Sequence, residues 1–236
     1  MRIIVTHLTR MQFPYICVAG IDPDTGKHIR PTIKGRLPRA LLRAEGGPFD
    51  IAGLVDLGEV IPEGVAPEVE DHRFRHWDAR YLETCSPGQF WATLQSAARP
   101  ALREVFGPDL IPTGNTCSVA PGKGIASLGC LAPASAPHLA VEYGGVRMLV
   151  SDGAHDVSLP VTDLRLYTDD FKSVRTQVVA DINRSLLSGA RALLCVGLTR
   201  PFQKSGDSEP RHWLQVNNIH LEGNPIWQIE ADASSA

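Results

Sequence analysis

The run V-A-G-I-D-P-D-T-G-K-H-I-R-P-T-I-K-G-R-L-P-R-A-L-L-R, Val18 to Arg43, decides how this chain is read. Two apolar-rich segments flank Asp22-Pro-Asp-Thr-Gly26, with Pro at an early turn position and Gly where positive φ is needed. That pattern is a hairpin. Beyond it come six Lys/Arg (Lys27, Arg30, Lys34, Arg36, Arg39, Arg43) with no acid among them. The hairpin and its basic outflow read as the recognition surface of a small β-barrel.

Working outward, Arg2–Leu8 and Tyr15–Ile21 read as the strands before the turn, and Lys27–Thr32 as the strand after it. Leu54–Ile61 and Val65–Trp77 read as two more, joined at Pro62-Glu-Gly64. Ser86-Pro-Gly-Gln89 is a helix start, with Ser as N-cap, Pro at the first helical position and Gln three residues after the cap. Apolar residues from Phe90 to Val105 then recur at helical spacing, with a kink expected at Pro100 and a stop at Gly107. The pattern begins again near Asn115. Strand-like runs lie at Ile125–Leu131, Leu139–Tyr143, Val146–Ser151 and Val157–Leu166, and a helix over about 169–188 carries the stripe Phe171, Val174, Val178, Ile182, Leu186. Ala192–Thr199 and His212–Leu221 close the series, and Ala231–Ala236 reads as a frayed tail.

Strands, a helix, then strands, appearing twice, predict a mainly β protein with two helices, built as two OB-like five-stranded barrels in tandem. The expected domains are residues 1–112, with a helix at about 87–106, and 113–236, with a helix at about 169–188. Strand–helix alternation suited to a parallel sheet is absent.

At 43% hydrophobic and 21% charged residues, the composition is that of an ordinary globular protein. A net charge of −3 excludes a generally polyanion-coating surface, so any nucleic-acid site must be local. The 18 Arg against 5 Lys suit bidentate phosphate contacts, although a GC-rich genome produces the same excess. Five widely spaced cysteines without a C-x-x-C indicate neither a zinc knuckle nor a disulfide framework. With no signal-peptide pattern at Met1–His7 and no run of the ~18 apolar residues a membrane span needs, a cytoplasmic protein is expected.

Cys17 to Pro31, C-V-A-G-I-D-x-x-T-G-K-x-I-R-P behind an N-terminal strand, resembles the opening of the bacterial dual OB-containing domain family, with His28 where tryptophan is expected. Leu198-Thr-Arg-Pro-Phe202 followed by His212-Trp-Leu-Gln-Val216 is similar to that family's closing segment. The resemblance covers nearly the whole chain. It implies two OB-like barrels and a nucleic-acid-binding role, and brings no catalytic residues with it.

Three clusters are candidate nucleic-acid contacts. The first is Lys27, His28, Arg30 and Arg36 on the hairpin and its outflow. The second is Arg73, Arg75 and Trp77 in D-H-R-F-R-H-W, where alternation places both arginines and the tryptophan on one face, suited to backbone tracking with base stacking. The third is Arg200, Phe202, Lys204, Arg211 and Trp213 around the last connection. Arg30, at a strand end before Pro31, is either a phosphate ligand or the partner of an acid in 45–71, a segment with eight acids and no base. Asn217-Asn218, unusual within a strand, mark a bulge or offer amides to a ligand.

Catalytic motifs fail on their details. Pro121-Gly-Lys-Gly124 lacks the first Gly and the Ser/Thr of a phosphate loop, and His7-Leu-Thr9 has no second H-x-T. His72 and His76 have H-x3-H spacing without further ligands, so no metal and no cofactor is expected. The leading expectation is a non-catalytic, nucleic-acid-binding module of a larger bacterial nucleic-acid-handling or defence system, with single strands favoured. A protein-interaction scaffold is the second expectation. The third is an enzyme acting on nucleotides or nucleic acid through His7, His72 or His155.

Overall fold

In the computed structural model, which describes residues 1–227, the chain is mainly β, with strands in two mixed sheets and three α-helices. The tail reading at 231–236 falls outside the described residues. The first sheet contains β1 (Arg2–Arg10), β2 (Tyr15–Ile21), β3 (His28–Thr32), the short β4 (Leu37–Pro38), β5 (Gly53–Asp56), β6 (Val60–Pro62), β7 (Asp71–Phe74) and β8 (Arg80–Thr84). Its path is β6-β7-β3-β2-β1-β5-β8, parallel only between β3 and β7. Next come α1 (Pro87–Ala97), β9 (Ala98–Arg99) and α2 (Leu102–Phe106). The second sheet adds β10 (Ile111–Thr113), β11 (Thr116–Val119), β12 (Leu128–Leu131), β13 (His138–Glu142), β14 (Gly145–Ser151) and β15 (Asp156–Val161). After α3 (Thr176–Leu187), β16 (Ala192–Leu198) and β17 (His212–Leu221) complete the path β13-β14-β15-β17-β16-β12-β9.

The hairpin forms as its residues dictate. Asp22 accepts from the Asp24 amide at 2.9 Å and the Thr25 hydroxyl at 2.8 Å, and Gly26 sits at φ 70°. These side-chain bonds fix the turn that joins β2 to β3.

Several elements differ from the sequence reading. The sheets have eight and nine strands, not five per barrel. The helix expected at about 87–106 is two helices. Ser86 and Gln89 form the capping box, but Arg99 precedes Pro100, is held extended, and pairs parallel with β12. The helix expected at about 169–188 begins at Thr176. Before it, the Asp170 carboxylate accepts from the amides of Lys172 and Ser173 at 2.7 and 2.9 Å, winding a turn in place of a helical cap. Phe171 leaves the helical stripe with φ 59° and is buried in the first core. Leu54–Ile61 divides into β5 and β6 at Gly58, whose φ is 71°. Val65–Trp77 contracts to β7.

Two cores form, and the second sheet contributes to both. All of β12 and β16 is buried. Leu131, Leu194 and Val196 enter the second core, whereas Cys130, Leu193 and Cys195 enter the first. Because successive strand residues point to opposite faces, one strand serves two cores. α1 packs its Phe90 and Leu94 into the first core, and α2 packs Leu102, Val105 and Phe106 into the second.

Polar contacts lock the junction. The Asn218 side chain mimics a strand, accepting from the Leu8 amide at 2.7 Å and donating to the Leu8 carbonyl at 3.2 Å. The Glu70 carboxylate accepts from the Ser127 amide at 2.9 Å and the Ser127 hydroxyl at 2.8 Å. Burial still pushes the Glu70 carboxyl above its ordinary value, against the pull of those donors. Among the described residues, no helix is long and apolar enough to cross a membrane.

Candidate nucleic-acid interface

Arg30 is placed by its strand. Its amide donates to the Glu70 carbonyl at 2.8 Å, and the β3–β7 register sets it beside Asp71. The guanidinium is only 6% exposed, and its Nε donates to one Asp71 oxygen at 2.5 Å. Arg200, just beyond β16, donates to the other Asp71 oxygen at 2.5 Å and stands 3.3 Å from Glu68. One carboxylate thus holds an arginine from each half of the chain. Of the two readings of Arg30, pairing with an acid of 45–71 is the one the geometry realises. Nη2 of Arg30 nevertheless remains buried without a partner among the described residues.

This clamp borders a cleft of about 610 Å³ lined by residues of both halves. Four arginines (Arg10, Arg30, Arg36, Arg200) and no Asp or Glu appear among the described residues that line it. Arg30 and Arg200 are compensated from behind by Asp71 and Glu68. Among the described residues, Arg10 and Arg36 make no ion pair. Arg10 lies 3.7 Å above the Tyr167 ring and donates Nη1 to the Phe171 carbonyl at 2.7 Å, leaving Nε buried and unpartnered. Arg36 reaches only the Gln12 amide oxygen at 3.3 Å and the Tyr15 face at 5.6 Å. The Cys17 thiol, also in the lining, is pushed up by burial against the pull of Arg30 and Arg200.

Phe202 contributes an apolar face, 45% exposed. Trp213, 4% exposed, backs it with ring centroids 6.3 Å apart and donates its indole N–H to the Phe202 carbonyl at 3.1 Å. Lys204 covers the Trp213 ring at 3.2 Å, so that ring is support for Phe202 and is closed to a base. Arg211 donates to the Ser118 hydroxyl at 2.6 Å.

The remaining candidates lie elsewhere. Lys27 and His28 line a second hollow of about 680 Å³ together with Glu70, His72, Arg99 and Glu104. Burial, helped by the charge of Arg99, pulls His28 down to about 4. Arg73 pairs with Glu63 at 3.4 Å, and Arg75 with Asp78 at 2.7 Å. Trp77 is 70% exposed beside His76. His7 is buried against His28, while His155 lies 3.5 Å from Asp152 in a loop. Among the described residues, no group of three His, Cys, Asp or Glu is poised to hold a metal ion.

The sequence clusters therefore converge only in part, at Arg30, Arg36, Arg200 and Phe202. Arg10 was missed because a single arginine ending β1 belongs to no motif. Gln12 and Gln215, also in the lining, were missed for the same reason.

The chain matches no known family profile and no curated protein sequence. Among solved structures it is similar to a murine DNA-binding protein bound to double-stranded DNA, at TM-score 0.32 and 6% identity over 94% of this chain and 96% of that one. It is also similar to the Ifi202 HINa domain in complex with 20-bp double-stranded DNA, at TM-score 0.33 and 9% identity over 95% of each chain.

Proposed function

We propose that this protein binds nucleic acid in the arginine cleft between its two halves. The observation that carries the reading is the lining: four arginines without a carboxylate, in a chain whose net charge is −3. Guanidinium N–H groups that reach the surface are the donors phosphate oxygens fit, whereas Arg10 Nε and Arg30 Nη2 are sealed from it. Arg36 and Arg200 supply accessible charge at the same cleft, and Phe202 a stacking face. In this reading the halves are two OB-like units dividing near residue 112, with residues 98–110 reaching into the second. The likeness of Cys17–Pro31 and Leu198–Phe202 to dual OB-containing domains supports a role as a non-catalytic part of a larger bacterial nucleic-acid-handling or defence system.

The test is fluorescence anisotropy with single-stranded and duplex oligonucleotides at low salt. Arg36→Glu and Arg10→Glu should each weaken binding at least about tenfold, and Arg36→Ala should lower the salt slope by about 0.7 for a single strand. Absence of binding at micromolar protein would sink the proposal. A protein partner is the second reading, favoured by exposed Ile61, Val65 and Trp77 on and beside β6 and β7. Co-purification with one fixed partner, and no oligonucleotide binding, would select it.

A further inference from the structure

At the cleft wall, β17 carries an irregularity that positions two amides. Opposite β16, Cys195 pairs with Asn218 and Val196 with Val216, so Asn217 is the extra, bulged residue. Its side chain swings over Gly197 of β16. A Cβ at position 197 would lie 2.5 Å from Asn217 Nδ2, so the glycine is the space the amide occupies. Gln215 Nε2 donates to Asn217 Oδ1 at 2.9 Å, tying the two side chains together. Asn217 is only 4% exposed, yet its Nδ2 and the Gln215 Oε1 take no partner among the described residues. Both residues line the arginine cleft, as does Phe202.

The mutual bond consumes one donor and one acceptor. The Asn217 amide nitrogen and the Gln215 carbonyl oxygen are left as a donor and an acceptor on two tied side chains, and exchanging O and N in both amides only swaps which residue supplies which. That is the complement of a nucleobase edge, which offers an acceptor next to a donor. A backbone phosphate needs donors only, so the acceptor half of the pair is wasted on it. Base edges of this kind are reachable when a strand is unpaired and its bases can turn out onto an aromatic face.

We infer that the cleft seats an unstacked base of a single strand, read by Gln215 and Asn217 while Phe202 takes its face. This rests on the nucleic-acid reading of the cleft and adds strandedness and base selectivity to it. Asn217 and Gln215 are then specificity residues, and Gly197 is a positioning residue acting through Asn217.

The experiment is competition anisotropy on the full chain with oligo-dA, oligo-dC, oligo-dT and an abasic strand of equal length. Wild type should separate the three homopolymers by at least about tenfold, with the abasic strand weakest. Asn217→Ala and Gln215→Ala should narrow the spread to about twofold. Gly197→Ala should do the same with both amides still present. Gln215 is half-buried and its truncation leaves the bulge intact, so at least one variant stays folded. Equal binding of every strand, the abasic one included, overturns the base seat and leaves the charged cleft standing. A spread that survives both amide truncations overturns it as well. Failure of all four strands to bind removes both readings together.

Discussion

β3 feeds two hollows, its first residues one and its last residues the other. They are alike in size, about 680 and about 610 Å³, and unlike in charge. The first sets Lys27, His28, His72 and Arg99 against Asp22, Glu70 and Glu104. The second sets four arginines against no acid in its lining. Both grow out of one basic run in the sequence. A run of positive residues is therefore not yet a positive field. Which carboxylates the fold brings back to it decides the field, and an acid paired with an arginine cancels most of what that arginine offers to a distant anion. Within the cleft the same rule separates Arg30 and Arg200, matched to Asp71 and Glu68, from Arg10 and Arg36, which have no acid partner among the described residues.

The sharpest break of that contrast is removal of Asp71. Asp71→Ala leaves the buried Arg30 charge uncompensated and cuts the link to Arg200, so stability should fall by about 3–5 kcal/mol in urea unfolding. Glu63→Ala, which frees the exposed Arg73, is the matched control and should cost under about 1 kcal/mol. Equal costs for the two substitutions would show that Asp71 is no clamp.

The next effect comes from the histidines between the halves. His220 is fully buried, hydrogen-bonds the Thr6 carbonyl at 3.1 Å, and is pulled down to about 4 by burial and then by Arg165. His7 is shifted in the same direction by burial and by its neighbours His28 and His220. A histidine whose folded pKa lies below its unfolded value of about 6.5 favours the folded state above 6.5. Below that the unfolded chain takes up the proton first, and stability falls as pH drops toward 4. For His220 alone the loss between pH 7 and pH 5 should be about 2 kcal/mol. The unfolding midpoint measured across that interval checks it. His220→Gln should flatten the dependence, and a wild-type midpoint that does not move would refute the assignment.

What the sequence made legible, and what it hid, follows from range. The Asp22–Gly26 turn and the Ser86–Gln89 capping box are made by residues within a few positions of one another, and both form as expected. The shortened second helix also has a local cause, the Asp170 turn, but Thr168-Asp-Asp reads equally well as a helix cap. The site is different in kind. Asp71 meets Arg200 across 129 positions, and Asn218 meets Leu8 across 210. No local pattern encodes such partners. Arg10 and Gln215 acquire meaning only when β1 and β17 come to the same cleft. Asn217-Asn218 carried a legible oddity: 217 is the bulge, one of its two readings, while 218 gives its amide to the Leu8 backbone and clamps the halves.

The smallest expected effect is the one that isolates the role of charge balance. Lys27→Glu and Arg36→Glu make the same change of two charge units in neighbouring parts of one basic run. Lys27 lies at a hollow whose lining also holds Asp22, Glu70 and Glu104, so its reversal should change oligonucleotide affinity by less than about twofold at physiological salt, where exposed charges beyond ~8 Å are screened. Among the described residues Arg36 has no acid to oppose it, and its reversal places a carboxylate in a lining that holds none. The measured ratio between these variants, taken at low and at physiological salt, separates a local site from a diffuse basic surface. For a diffuse surface the two reversals weaken binding equally at low salt. For the cleft, Arg36→Glu remains the stronger at both, because it sets a carboxylate among Arg10, Arg30 and Arg200 in a lining that holds no Asp or Glu among the described residues.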